Sequence, residues 1–62
     1  MRFEININKE PTRCYLYRSY EKMMSFAYDK LYEWAYQKEE DDVVVSVYDK
    51  QLDKTFYFNK WS

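Results

Sequence analysis

Between Ser19 and Lys38 the apolar side chains fall at helical spacing: Tyr20, Met23, Met24, Ala27, Leu31, Trp34 and Ala35. This stripe constrains the fold more than any other feature. A lone amphipathic helix cannot cover its own apolar face, so another element must. Ser19 suits an N-cap, and Glu21 in the first turn suits the helix dipole. Tyr28 borders the stripe, and Tyr32 and Tyr36 continue around that flank.

The flanking segments read as strands. From Arg2 to Asn8 the chain alternates, with Phe3, Ile5 and Ile7 on one side and Arg2, Glu4, Asn6 and Asn8 on the other. Val43 to Asp49 is rich in β-branched residues and too short for a helix. Lys50-Gln51-Leu52-Asp53 reads as a hairpin loop, although no glycine supplies a positive φ, and Lys54 to Lys60 returns. Val45, Val47, Phe56 and Phe58 are expected to face the helix. Val44, Ser46, Tyr48, Tyr57 and Asn59 are expected to face away.

Thr12 to Arg18 admits two descriptions. As a strand it turns Cys14 and Leu16 inward and Tyr15 and Tyr17 outward, giving ββαββ. As a helix it begins near Pro11, which suits a first helical position, giving βαββ. The helix would then reach ~42 Å over about 28 residues. Strands of seven residues or fewer span only ~20 Å, so the strand is preferred. Either way the class is α+β, a single domain over 1–62 with one helix on one face of a mainly antiparallel sheet.

A chain of 62 residues buries only ~60% of the surface its unfolded form exposes, so its core is small. Eight Tyr, four Phe and two Trp stand against few aliphatic residues, so rings and Met must supply much of that core. With one helix on one face, the other sheet face is expected to carry Tyr15, Tyr17, Tyr48 and Tyr57 among Arg2, Arg13, Glu4, Asn6 and Asn59. Tyrosine tolerates water yet gains when covered, and Tyr and Arg are favoured at protein interfaces. The same rings could stack bases of a single strand. The plainer explanation is that Tyr is a good strand former.

On helix geometry Phe26 lies opposite the stripe, among Lys22, Asp29, Lys30, Glu33 and Gln37. It could anchor a contact together with Tyr32 and Tyr36, although a single exposed Phe is ordinary. Glu39, Glu40, Asp41 and Asp42 follow the helix, where the dipole is already negative. They read as a solvated connector or as an acidic knob for a basic partner surface. Their spacing is not that of a Ca²⁺ loop. Trp34 and Trp61 read as core and edge packing.

Net charge is −1, and without that run the chain is mildly basic. The whole is less basic than nucleic-acid-binding domains of this size usually are. With no His and no Gly, His-based metal sites, His-based triads and glycine-rich phosphate loops are excluded. Cys14 has no imidazole base and is expected to be buried or half-buried. A domain this small is not expected to hold a water-excluding cleft, so no enzymatic activity, cofactor or metal is expected. There is no apolar run of signal-peptide or membrane-span type, and a lone Cys fits a reducing, cytoplasmic setting.

The expectation is a non-enzymatic protein-binding module, of the kind phages and mobile elements carry to occlude and inhibit or modulate a host macromolecule. Its protein partner is unidentified. A homodimer would add the buried apolar surface that a short chain lacks. The alternatives are a single-stranded nucleic-acid binder using a Tyr/Arg sheet face and a structural subunit of a larger assembly. The candidate partner-binding residues are Phe26, Tyr15, Tyr17, Tyr48, Tyr57, Tyr32, Tyr36, Glu39, Glu40, Asp41 and Asp42.

Overall fold

In the computed structural model, which describes residues 1–11 and 14–60, two strands precede the helix and two follow it. They are β1 (Phe3–Ile7), β2 (Cys14–Tyr17), α1 (Tyr20–Tyr32), a π-helical turn (Glu33–Gln37), β3 (Val44–Asp49) and β4 (Lys54–Asn59). All strand pairs are antiparallel, in the order β2-β1-β3-β4. This is the ββαββ arrangement. The βαββ alternative with a helix from Pro11 is excluded because Cys14–Tyr17 pairs along β1. Arg13 and Trp61 lie outside the described residues. No described helix is long and apolar enough to cross a membrane.

The core forms where the alternating strands meet the helical stripe. Phe3, Ile5 and Ile7 of β1 and Val45 and Val47 of β3 are buried with Val43 against Met23, Ala27, Leu31 and Ala35. Burying each large side chain contributes about 1.5–3 kcal/mol. Ala27 and Ala35 carry only a methyl group there, so the helix backbone can approach the central strands.

The boundaries have local causes. The Lys22 N–H donates to Ser19 Oγ at 3.3 Å and caps α1. Past Tyr32 the helix widens, and the Lys38 N–H donates to the Glu33 carbonyl at 2.9 Å. Glu39 then takes a φ of 56°, and the Glu40 N–H returns to the Trp34 carbonyl at 3.0 Å. In the β3–β4 turn Asp53 takes a φ of 51°, the role a glycine commonly fills. Asp49 continues the inward parity of β3 and is buried, held by Arg2 through Nε–Oδ1 at 2.9 Å and NH2–Oδ2 at 2.8 Å. It also accepts the Gln51 N–H at 3.0 Å, which shapes the turn. These bonds, with that from Arg2 the strongest, hold its carboxyl below the usual range against the opposing effect of burial.

Three expectations need correction. In β2 the register sets Tyr17 beside Phe3 and Tyr15 beside Ile5, so both tyrosines lie on the helix side. Cys14 and Leu16 take the open face and are exposed. An edge strand lies at the rim of the helix, where a tyrosine can bury its ring and leave its hydroxyl outside. Phe26, in turn, is not on a solvated face. Its ring centroid lies 4.6 Å from that of Tyr15 and 5.1 Å from that of Tyr17. A four-stranded sheet is ~14 Å between its outer strands, wider than a helix ~10 Å across, so it reaches the helix flanks as well as its stripe.

Candidate functional site

With Tyr15 and Tyr17 beneath the helix, the open face is left with Glu4, Asn6, Cys14, Leu16, Val44, Ser46, Tyr48, Thr55, Tyr57 and Asn59. Its centre is polar: Lys50 pairs with Glu4 at 3.0 Å, and the Ser46 hydroxyl donates to the Asn6 carbonyl at 3.3 Å. Tyr48 is half-buried, and its hydroxyl donates to Asp53 Oδ1 at 2.6 Å. That bond to a carboxylate raises the phenol's pKa. Among the expected platform rings, only Tyr57 is well exposed there, at 62%.

The exposed rings gather instead on the flank of the helix toward β4. Tyr28, Tyr32 and Tyr36 are each at least half exposed, while Tyr20, also exposed, packs on Phe3 of β1. Tyr28, Tyr32 and Tyr36 succeed one another at four-residue spacing, which brings side chains onto one flank. Tyr28 packs on Phe58 at 5.1 Å, and Tyr32 packs on Tyr36 at 5.7 Å. The Tyr36 hydroxyl donates to the Lys60 carbonyl at 3.2 Å, tying the end of the ladder to the end of β4. With Leu31, Asp29, Asn59 and Lys60 these tyrosines line an open groove of about 420 Å³. Its lining mixes apolar rings and Leu31 with polar groups, a composition usual at a protein contact.

The opposite flank is a closed polar cluster around Glu10. Tyr15 donates its hydroxyl to Glu10 Oε1 at 2.6 Å, Trp34 donates Nε1 to Oε2 at 2.7 Å, and Lys30 lies 3.2 Å from Oε2. Burial pushes this carboxyl up, but the three donors and the Lys30 charge outweigh it and hold it at about 2. Lys38 covers the Trp34 ring at 3.9 Å. A shallow cavity of about 490 Å³ lies over the cluster, lined also by Lys9, Pro11 and Glu33. Each carboxylate oxygen of Glu10 is already satisfied, so the cluster ties the β1–β2 loop to the helix. Glu10, Lys30 and Lys9 carried no pattern in the sequence that marked them out.

The acidic run is mostly engaged. Asp42 and Glu40 pair with Lys9, the latter at 3.5 Å, and Asp41 pairs with Lys60 at 2.9 Å. The hydrogen bond from Lys9 is the main cause that lowers the Asp42 carboxyl. Asn8 donates to the Asp42 carbonyl at 2.6 Å and accepts the Val44 N–H at 2.9 Å. Three of the four acids thus latch the connector to the sheet, while Glu39 turns the chain out of the helix. Among the described residues no group of three or more Cys, Asp or Glu could hold a metal ion.

Comparison with family models, with curated proteins and with solved structures finds no match. Of the sequence candidates, Tyr32 and Tyr36 share the groove. Tyr15, Tyr17 and Phe26 form a separate packed trio, and Tyr48 and Tyr57 stand apart on the open face. Tyr28 belongs with Tyr32 and Tyr36. Its four-residue spacing was visible in the sequence, but its place beside the stripe suggested packing.

Proposed function

We propose that this chain is a non-enzymatic protein-binding module that acts by covering a surface of a partner protein through the tyrosine groove between the helix and β4. In its most concrete form it is a small accessory protein of the phage or mobile-element type, inhibiting or modulating a host macromolecule stoichiometrically. The observation that carries this reading is the ladder Tyr28, Tyr32 and Tyr36, exposed beside a half-buried Phe58. Such rings lose little conformational entropy on contact and combine apolar area with a polar tip.

The relocation of Tyr15 and Tyr17 removes two rings from the face a nucleic-acid strand would use, and Glu4 adds a carboxylate near its centre. A protein surface is therefore the better supported partner. The test is affinity capture of partners by wild type, by Tyr32→Glu and by Leu16→Glu. Among the described residues the Tyr32 hydroxyl has no hydrogen-bond partner, and the side chain is 57% exposed, so its replacement is expected to leave the fold intact. One identified protein is expected, retained stoichiometrically by wild type and Leu16→Glu and lost with Tyr32→Glu. A partner lost only with Leu16→Glu, or salt-sensitive oligonucleotide binding in place of a protein, would refute the reading.

A further inference from the structure

We infer that β4 pairs with β4 of a second copy of this chain, making a two-fold dimer with one continuous eight-stranded sheet. The inference goes beyond the partner reading and is tested separately from it.

Which backbone groups of β4 point outward follows from the hydrogen-bond parity of the sheet. The Asn8 N–H donates to the Val44 carbonyl, and the Lys50 N–H donates to the Arg2 carbonyl. Even-numbered residues of β3 therefore turn their backbone toward β1, and odd-numbered residues turn theirs toward β4. Val45, Val47 and Asp49 are opposite Phe58, Phe56 and Lys54. The backbone N–H and C=O groups of Thr55 and Tyr57 then point away from the sheet. The pairing register of β4 runs without a bulge, and Lys54–Asn59 contains no Pro. Its only charge is at its first residue. Natural edge strands usually carry such protection, and a long apolar edge without it is a template for another strand.

The strand is complementary to itself. Antiparallel pairing about a two-fold axis must match residues of the same parity, or the faces would not agree. Placing Tyr57 opposite itself would set Lys54 against Lys60, a like-charge pair. The neighbouring register has no such conflict. It sets Phe56 opposite Phe56 on the helix side, Thr55 opposite Tyr57 on the open side, and Lys54 opposite Phe58. Thr55 and Tyr57 then exchange both backbone hydrogen bonds on each side of the axis.

The same geometry gives the tyrosine ladder a setting. The centres of the two four-stranded sheets would lie ~19 Å apart at ~4.8 Å per strand. Two helices ~10 Å across would then leave a channel of ~9 Å between them. Tyr28, Tyr32 and Tyr36 of each copy would line its walls, over a floor of Phe56 and Phe58.

Sedimentation of the full chain under reducing conditions tests this, so that exposed Cys14 cannot cross-link copies. A dimer, twice the chain mass, is expected across the micromolar range. Tyr57→Pro removes only an outward N–H, so it is expected to halve the mass while leaving the circular dichroism unchanged. Should proline disturb the hairpin, Thr55→Lys combined with Tyr57→Lys places like charges opposite each other twice and is expected to give the same monomer. Leu16→Lys on the opposite edge is expected to remain dimeric. In a mixed-label dimer, isotope-filtered NOEs should connect Thr55 of one copy to Tyr57 of the other. A wild-type monomer throughout that range would overturn the inference. So would a dimer untouched by the β4 variants, or one whose filtered NOEs lie elsewhere. Capture of a partner by a monomer would leave the partner reading standing.

Discussion

At the scale of single residues the aromatic side chains are sorted by position along the helix, a distinction that helical periodicity alone does not make. Phe26 lies opposite Met24 on a helical projection, which suggests solvent, yet Tyr15 and Tyr17 enclose its ring. The projection treats the helix as covered on one stripe, whereas an outer strand packs against its flank. Tyr15 is held there by Glu10, whose carboxyl lies at about 2 against an ordinary 4.5. Because the folded value is the lower one, the stabilisation is fully present above pH 4.5 and is lost as the pH falls from 4.5 toward 2. Asp49 is lowered as well and acts in the same direction. Glu10→Gln is expected to cost about 1–3 kcal/mol at neutral pH, because it weakens hydrogen bonds to a charged acceptor. It should also flatten the acid limb of stability. Urea unfolding of both proteins at a series of pH values checks this, and an equally steep acid limb in the variant would refute the role given to Glu10.

At the scale of elements most of the chain was legible. The helix span, the alternation of β1, the β3–β4 hairpin and the inward set Val45, Val47, Phe56 and Phe58 are as their patterns indicate. Those segments have strong periods. The parity of β2 was not legible: Cys-Tyr-Leu-Tyr alternates equally well both ways. It is set by the register with β1 and by Glu10, both non-local. The π-helical turn and the positive φ of Glu39 also had no sequence marker, whereas Asp53, in the hairpin loop, is of a residue type enriched at positive φ. Asp53 is compensated by its bond from Tyr48. Among the described residues the Glu39 side chain makes no ion pair, so Glu39→Gly is expected to raise stability by about 0.5–1 kcal/mol by relieving the left-handed conformation. Ser19→Ala at the other end is expected to lower it by about 1 kcal/mol. Thermal melts of the two variants check both signs.

At the scale of the whole molecule, the class and topology followed from the sequence, whereas the distribution of the exposed rings did not. One helix over one sheet implied an aromatic open face, which holds only if β2 turns its tyrosines outward. With the opposite parity, the open face becomes mixed and polar, and the exposed rings collect between the helix and the unprotected edge of β4. The acidic run, which composition alone makes conspicuous, serves mainly to latch the connector to Lys9 and Lys60. Which face carries the exposed rings therefore depends on where Tyr15 and Tyr17 point, and an aromatic NOESY spectrum of the full chain measures that directly. The account predicts cross-peaks from the Phe26 ring to the rings of both Tyr15 and Tyr17, at centroid separations of 4.6 and 5.1 Å. Absence of both, with Cys14 and Leu16 showing contacts to the helix instead, would return the two tyrosines to the open face and contradict the account.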